Sequence, residues 1–280
     1  MSPVARPGAL LTGLPRTVLA LHRAALLVWA ASVAALIGWL AYLNEVTADR
    51  VRGSSSPFAA LDYSDPTGWI ATLVCYGFLA VAAFAGASLV GRELESGTAH
   101  LAWTQGVSPT RWLTAKLALP AAALVTGGTA LVLAYRWGWA AHRELMHDNW
   151  GHAEVFVARG PAAVAYALCA LAVGALTALL LRRTLAALGV SLAVMWLVHF
   201  LLERCRAHLR PALTRTAAHP VDLPGSAWPV RSGRDAHGYY AVYHPQSHFW
   251  PLQLTETGIV LAVTVLATAA AFTVLRRRTG

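Results

Sequence analysis

Charged side chains are scarce in this 280-residue sequence, and they are missing from six long stretches. Only 12% of the residues are charged, whereas 57% are hydrophobic. Each stretch holds about 18 to 22 residues, the length that an α-helix needs to cross a hydrocarbon core of ~30 Å. The six stretches are 24–43, 69–90, 117–135, 161–181, 185–202 and 258–275. This pattern excludes a soluble globular domain and predicts an all-α integral membrane protein with six transmembrane helices.

Cysteine and lysine are almost missing as well, and each scarcity excludes a kind of chemistry. Cys75 and Cys169 lie inside predicted helices and Cys205 lies just outside one, so neither a disulfide framework nor a zinc site is expected. The single lysine, Lys116, is followed by Leu117 and not by Ser or Thr, so the sequence has no phosphate-binding loop of an ATPase. It also has no His-Glu-x-x-His motif of a zinc protease.

The charges that are present favour one side of the predicted helices. With the N-terminus inside the cell, the inner segments are 1–23, 91–116, 182–184 and 276–280. They hold eleven of the 22 Lys and Arg residues and only two acidic residues, Glu93 and Glu95, so they carry the whole net charge of +9. Segments rich in Lys and Arg stay in the cytoplasm, so we predict that both termini are inside. Basic loops beside an anionic inner leaflet explain the charge without a nucleic-acid partner.

The predicted outer segments contain several histidines and many aromatic residues. Histidines at 142, 147 and 152 do not share one helix face, and Pro245 separates His244 from His248, so no metal site is predicted. The longest outer segment, 203–256, is expected to form a structured cap or a partly re-entrant lid, because its aromatic side chains need burial. His199 lies inside a predicted helix, where it is either a functional polar group or a neutral histidine bonded to a neighbouring helix.

The inner segment between the second and third helices, residues 91–108, has an unusual length for a solvated hairpin. Leu94, Thr98, Leu101 and Gln105 fall at helical spacing, which predicts a short surface helix. The pair Ser108-Pro109 is typical of the start of the next helix, with serine as the cap and proline in the first turn. A short helix, a break and a return into the membrane are therefore expected, as in a docking element for a cytoplasmic partner.

Two stretches of this segment, RELESGT at 92–98 and TQGVSPTRW at 104–112, resemble the inner loop of ABC-2-type ABC transporter permeases. The chain looks most like the actinobacterial single-chain transmembrane subunits of about this length. The stretches HRAALL at 22–27 and FWPLQLTETG at 249–258 resemble the entries of that family into its first and last helices. One departure is Gly106, which stands where the family often has proline.

The resemblance implies that the whole chain, residues 1–280, is one permease domain in a bacterial plasma membrane. Two such subunits, identical or different, would pair with cytoplasmic ABC ATPases that bind ATP and Mg²⁺, so no cofactor is expected on this chain. Residues 91–108 would contain the coupling helix, and export would be the direction of transport. The residues that the resemblance places in contact with the ATPase are Arg92, Glu93, Glu95, Gly97 and Thr98.

The entry into the last helix supplies two further candidates, Gln253 and Glu256. Glu256 is expected to be solvated at the interface, to bind backbone groups in a re-entrant turn, or to line an outer vestibule with Gln253. Two other functions stay open on the sequence alone. One is a membrane enzyme with an outer-facing, histidine-bearing site, and the other is a membrane scaffold or immunity protein that works without an ATPase.

Overall fold

Six helical spans form the framework of the computed structural model, which describes residues 9–147, 149–236 and 238–279, with side chains from His22 onward. The spans that are long and apolar enough to cross a membrane are His22–Arg52, Leu61–Glu95, Pro109–Ala141, Ala162–Leu181, Thr184–His208 and Gln246–Thr279. The prediction of six transmembrane helices is confirmed. Most of the spans are longer than the apolar stretches, because buried or interfacial polar residues extend them.

The helices are α1 (Ala9–Tyr42), α2 (Ala48–Arg52), α3 (Leu61–Phe84), α4 (Gly91–Glu95), α5 (Thr98–Thr104), α6 (Pro109–Ala141), α7 (Ala153–Ala158), α8 (Ala162–Leu181), α9 (Thr184–Cys205) and α10 (Phe249–Thr279). A π-helical turn at Leu43–Thr47 joins α1 to α2, and another at Ala85–Leu89 leads from α3 toward α4. The loop between the first two spans is therefore only residues 53–60, although the apolar stretches 24–43 and 69–90 lie much further apart in the sequence.

Helix α8 lies at the centre, where most of its side chains are buried against α3, α6, α9 and α10. Small residues permit this close packing. A Cβ at Gly86 would lie 2.9 Å from Ser191 Oγ and 3.0 Å from the Ala187 carbonyl oxygen, so only glycine fits between the π-helical turn after α3 and α9. Ser191 Oγ also donates a hydrogen bond to the Ala82 carbonyl oxygen across this contact, at 3.1 Å.

Contacts between spans define two ends of the bundle. Lys116 bonds to His22 and to Glu93, Glu95 bonds to Thr184, and Arg278 bonds to the last carbonyls of α8. We call this the loop end, because it carries residues 91–108. The opposite end, which we call the sheet end, carries three strands between α9 and α10.

The all-α prediction is wrong for residues 203–256, the predicted outer segment, which contain a three-stranded antiparallel sheet. Its strands are β1 (Leu213–Ala217), β2 (Trp228–Asp235) and β3 (Gly238–His244), in the order β1-β3-β2. Aromatic and β-branched residues in β3 favour a strand over a loop. The segment is a structured cap, as predicted: buried Trp150 donates through Nε1 to the Ser226 carbonyl oxygen at 2.7 Å and packs edge-on against Trp228.

Candidate functional site

Residues 91–108 form two short helices with a sharp break between them. The break falls at Gly97, whose φ of +76° is left-handed, so the single surface helix predicted across Leu94 and Gln105 is split into α4 and α5. Ser108 caps α6 by accepting a hydrogen bond from the Arg111 backbone N–H at 3.4 Å, and Pro109 follows in the first turn, as predicted. The segment is therefore an ordered excursion at the loop end of α3 and α6.

Glu93 fixes α4 to α6. Its carboxylate accepts hydrogen bonds from Lys116 Nζ and, at 3.1 Å, from Trp112 Nε1. The Lys116 side chain is only 3% exposed, and its Nζ also lies 3.0 Å from Nε2 of His22 on α1. A nearly buried ion pair with two further partners holds its geometry far better than an exposed pair.

Glu95 fixes the same segment to α9. Its Oε2 accepts a hydrogen bond from the backbone N–H of Thr184, the first residue of α9, at 2.9 Å. The first N–H groups of a helix have no partner within the helix, and a carboxylate there is favoured by the helix dipole. Glu95 therefore caps a transmembrane helix from a distant part of the chain.

The other residues implied by the family resemblance point toward solvent. Arg92, Gly97 and Thr98 are exposed, and a Cβ at Gly97 would meet no atom within 4 Å. Leu101 on α5 is 59% exposed, although it is a large apolar residue. The segment thus has one face that holds the two glutamates against the bundle and another that is free to contact a partner. Contact of these residues with an ATPase stays a prediction.

Glu256 and Gln253 lie inside α10, not at its entry or in a re-entrant turn. Glu256 is fully buried and forms a two-pronged ion pair with Arg206, with Nε to Oε2 at 2.7 Å and Nη2 to Oε1 at 2.9 Å. Tyr166 donates a third hydrogen bond to Oε1 at 2.9 Å. The expectation of a solvated or vestibule-lining Glu256 is therefore wrong, because Arg206 neutralises it within the bundle.

Gln253 is fully buried one turn before Glu256, and its Nε2 donates to the Phe156 carbonyl oxygen. Its side chain lies directly against Gly160, where a Cβ would collide with it. Gln253 therefore holds α10 to α7, and it does not line an outer opening.

His199 is buried beside this ion pair, in an aromatic surrounding. Its ring contacts those of Tyr76, Phe78 and Tyr166 at centroid distances of 5.2 to 5.4 Å. Its Nε2 lies 3.8 Å from Cys75 Sγ, and its Nδ1 has no hydrogen-bond partner among the described residues. The cluster joins α3, α8 and α9 in the half of the bundle toward the sheet end.

The histidines of the predicted outer segments have separate surroundings. His142 Nδ1 lies 2.6 Å from Arg52 Nη2, whereas Nδ1 of His244 faces Nδ1 of His248 at 3.0 Å. Within residues 9–147, 149–236 and 238–279, no three His, Cys, Asp or Glu residues are grouped as they would be around a metal ion.

An apolar cavity of about 620 Å³ lies within the bundle, between α1, α3, α6 and α8. It extends from His22 to Leu36 along α1, and its other walls include Phe84, Leu119 and Ala167. Its volume falls in the range of small-molecule sites. Its lining offers few polar groups.

Six apolar spans and an ordered segment between the second and third of them define the class of a polytopic membrane protein. The chain belongs to the family described as ABC-2 membrane transporter related, whose sequence profile matches residues 17–206. No curated protein and no solved structure matches this chain. The match ends before the sheet and α10, so the cap lies outside the matched region.

Sequence reasoning missed the partners of the acidic residues. Lys116 is the single lysine and Glu93 is one of two acidic residues on the predicted inner side, which was a usable signal for pairing them. Arg206 was assigned to an outer loop, whereas it is 1% exposed and neutralises Glu256. Nothing in the local sequence indicated that pair, because 50 residues separate its members.

Proposed function

We propose that this chain is the membrane-spanning subunit of an ATP-driven exporter in a bacterial plasma membrane. A second permease copy, identical or different, completes the transport path, and separate cytoplasmic ATPase subunits bind ATP and Mg²⁺. Membership of the ABC-2 family supports a permease that works with an ABC ATPase. Export as the direction rests on the resemblance to that family.

The attachment of residues 91–108 carries this proposal. The exposed face with Gly97, Thr98 and Leu101 is available to an ATPase at the loop end. The opposite face is fixed to α6 through Glu93 and to α9 through Glu95. A displacement of this segment is therefore transmitted to two membrane spans at once.

This arrangement changes the roles of the implied coupling residues. Glu93 and Glu95 act as anchors on the permease, because their carboxylates already have partners. Arg92, Gly97, Thr98 and Leu101 form the docking face. Closure of the ATPases on ATP would push this face, and α6 and α9 would rock between inward-open and outward-open states.

The test is purification of the tagged chain from its native membrane in mild detergent, followed by mass spectrometry of the proteins recovered with it. We expect a protein with a phosphate-binding loop in stoichiometric amount. The variant Leu101→Glu should lose that protein, because it places a charge in the apolar part of the docking face. Leu213→Glu is the matched control, since Leu213 is also an exposed leucine, 46% accessible, but lies at the sheet end.

Recovery of the chain without any ATPase would contradict the proposal. Activity that depends on a bound metal would then indicate the histidine-bearing membrane enzyme. A chain that is indifferent both to chelation and to Leu101→Glu would indicate an ATPase-independent scaffold.

A further inference from the structure

Three arginines and three aromatic rings form one continuous group of contacts at the sheet end of the spans. The Arg159 guanidinium carbon lies 4.6 Å from the ring centres of both Trp139 and Phe249. Arg143 lies 5.0 Å from the Trp139 ring, and Arg136 lies 4.6 Å from the ring of Trp250. The Phe249 and Trp250 rings touch edge-on at 5.4 Å, so the whole group is continuous. We call these six residues the arginine ladder.

Arg159 has no anionic partner in the part of the chain that the structure describes. Its Nε and Nη1 atoms are buried and make no hydrogen bond there. Arg206, by contrast, is buried and has an anionic partner, because Glu256 binds it through both carboxylate oxygens. Stacking on Trp139 and Phe249 stabilises the Arg159 cation but satisfies none of its N–H groups.

The neighbours of Arg159 add positive charge. Burial is the main cause that lowers the pKa of Arg159 to about 10; Tyr135 opposes this shift, and the cations Arg143 and Arg136 contribute to it. The side chain is still charged at neutral pH. The protein therefore holds a half-buried cation next to two others, and an unpaired charge of this kind is costly.

We propose that the arginine ladder binds the phosphate group of an anionic phospholipid, with Arg159 as its central ligand. A guanidinium presents its N–H groups in a planar fork that matches phosphate oxygens, and aromatic stacking fixes the plane of that fork. Trp250 in the ladder and Trp137, which follows Arg136 in the sequence, are both exposed, and tryptophan is enriched where membrane spans reach the headgroups. A headgroup at this depth would supply the anion that Arg159 lacks. The proposal rests on membrane insertion and not on the ATPase partner.

The experiment uses the full chain in phosphatidylcholine nanodiscs with increasing amounts of phosphatidylglycerol. We expect a saturable rise of the Tm, and retained phosphatidylglycerol in native mass spectra. Arg159→Gln should weaken this response at least tenfold, and Arg136→Gln should weaken it several-fold. Arg231→Gln is the matched control, because Arg231 also stacks on a ring, that of Tyr240, in the sheet. Its response should equal that of the unchanged chain.

The Tm without phosphatidylglycerol separates a ligand from a structural role. Arg159→Gln should be at least as stable as the unchanged chain there, because it removes an unpaired charge. If Arg159→Gln and the unchanged chain respond equally to phosphatidylglycerol, Arg159 is not a ligand of the lipid and the proposal is overturned. Equal stabilisation by inorganic phosphate in pure phosphatidylcholine would overturn the assignment to a lipid.

Discussion

At the scale of single residues, the ion pair of Arg206 and Glu256 is the feature whose stability depends most on both partners being present. Both side chains are buried within spans, and the pair is stable there because each carboxylate oxygen of Glu256 accepts from Arg206 and Oε1 accepts from Tyr166 as well. Taking either charge away leaves the other without compensation in a low-dielectric environment. The pair joins the end of α9 to α10 below the cap.

We predict that Glu256→Gln lowers the free energy of unfolding by about 3–5 kcal/mol, because Arg206 then keeps a buried and unpaired charge. Unfolding in mixed micelles measures this change. Glu203→Gln is the control, because the Glu203 carboxylate is 43% exposed and its loss should change the free energy by about 0.5 kcal/mol or less.

A double variant tests whether the unpaired charge of Arg206 causes the loss of stability in Glu256→Gln. Arg206→Met with Glu256→Leu removes both charges and should recover most of the lost stability, as buried pairs often do when both members become apolar. A double variant as unstable as Glu256→Gln would show that packing of these side chains, and not their charge, supports the joint.

At the scale of elements, the break between α4 and α5 decides how the docking face is presented. Gly97 adopts φ +76°, and a Cβ there would enter open space, so the cost of a substitution comes from the backbone alone. A left-handed conformation costs an ordinary L-residue about 1–2 kcal/mol, whereas Asn tolerates it better. Gly97 thus sets the angle between two helices that are too short to be stable alone.

We predict that Gly97→Val makes residues 91–108 more sensitive to limited proteolysis and reduces the recovery of the partner ATPase. Gly97→Asn should leave both close to those of the unchanged chain. Equal effects of Val and Asn would mean that the side chain itself, and not the left-handed backbone, disturbs this segment.

The cap contains a titratable pair at the base of its sheet. His244 on β3 donates from Nε2 to the Ala207 carbonyl oxygen at 3.1 Å, and its Nδ1 faces that of His248. Its ring also packs against Trp228, at 5.1 Å. Burial, with a smaller contribution from the positive charge of Arg210, lowers the pKa of His244 below its ordinary 6.5, against the opposing Ala207 bond.

A lowered histidine pKa means that the unfolded cap binds protons more tightly than the folded cap. The stability from His244 is therefore complete above pH 6.5 and is lost as the pH falls toward the lowered pKa. We predict faster hydrogen exchange in β1 and β3 at pH 5 than at pH 7.5, after correction for intrinsic rates. The variant His219→Gln, which changes an exposed histidine of the same segment, should keep this pH dependence, and His244→Gln should reduce it.

At the scale of the whole molecule, the charges and the contacts between spans together predict which end faces the cytoplasm. The even number of spans and the contacts at the loop end bring residues 91–108, the start of α9 and the end of α10 together. The distribution of Lys and Arg predicts that this end is inside. The chain carries its own probe, because Cys205 is exposed near the sheet end whereas Cys75 and Cys169 are buried.

We predict that a thiol reagent that cannot cross membranes labels Cys205 in intact cells, and that Cys205→Ser removes the label. A second cysteine, introduced by Thr279→Cys in the Cys205→Ser chain, should react only after the cells are permeabilised. The reverse pattern in the two proteins would place both termini outside and would contradict docking of an ATPase at residues 91–108.

The sequence by itself determined the six spans, the cap of α6 at Ser108 and the place of residues 91–108 between the second and third spans. These features depend on local properties: the length of apolar runs, the capping chemistry of Ser-Pro and the short-range motif at 92–112. Each can be identified without knowing what lies next to it in space. The family match over residues 17–206 agrees with this local information.

Only the tertiary structure decided where polar residues go. Glu93 and Lys116 are 23 residues apart and Arg206 and Glu256 are 50 apart, so their pairing depends on which helices pack together. Helix α10 begins at Phe249, before the apolar stretch 258–275, so Gln253 and the neutralised Glu256 both lie inside it. The sheet in the cap likewise required three separated strands to meet. An apolar run can be identified from its composition alone. A buried charge is stable only beside its partner, and the fold decides which residue that partner is.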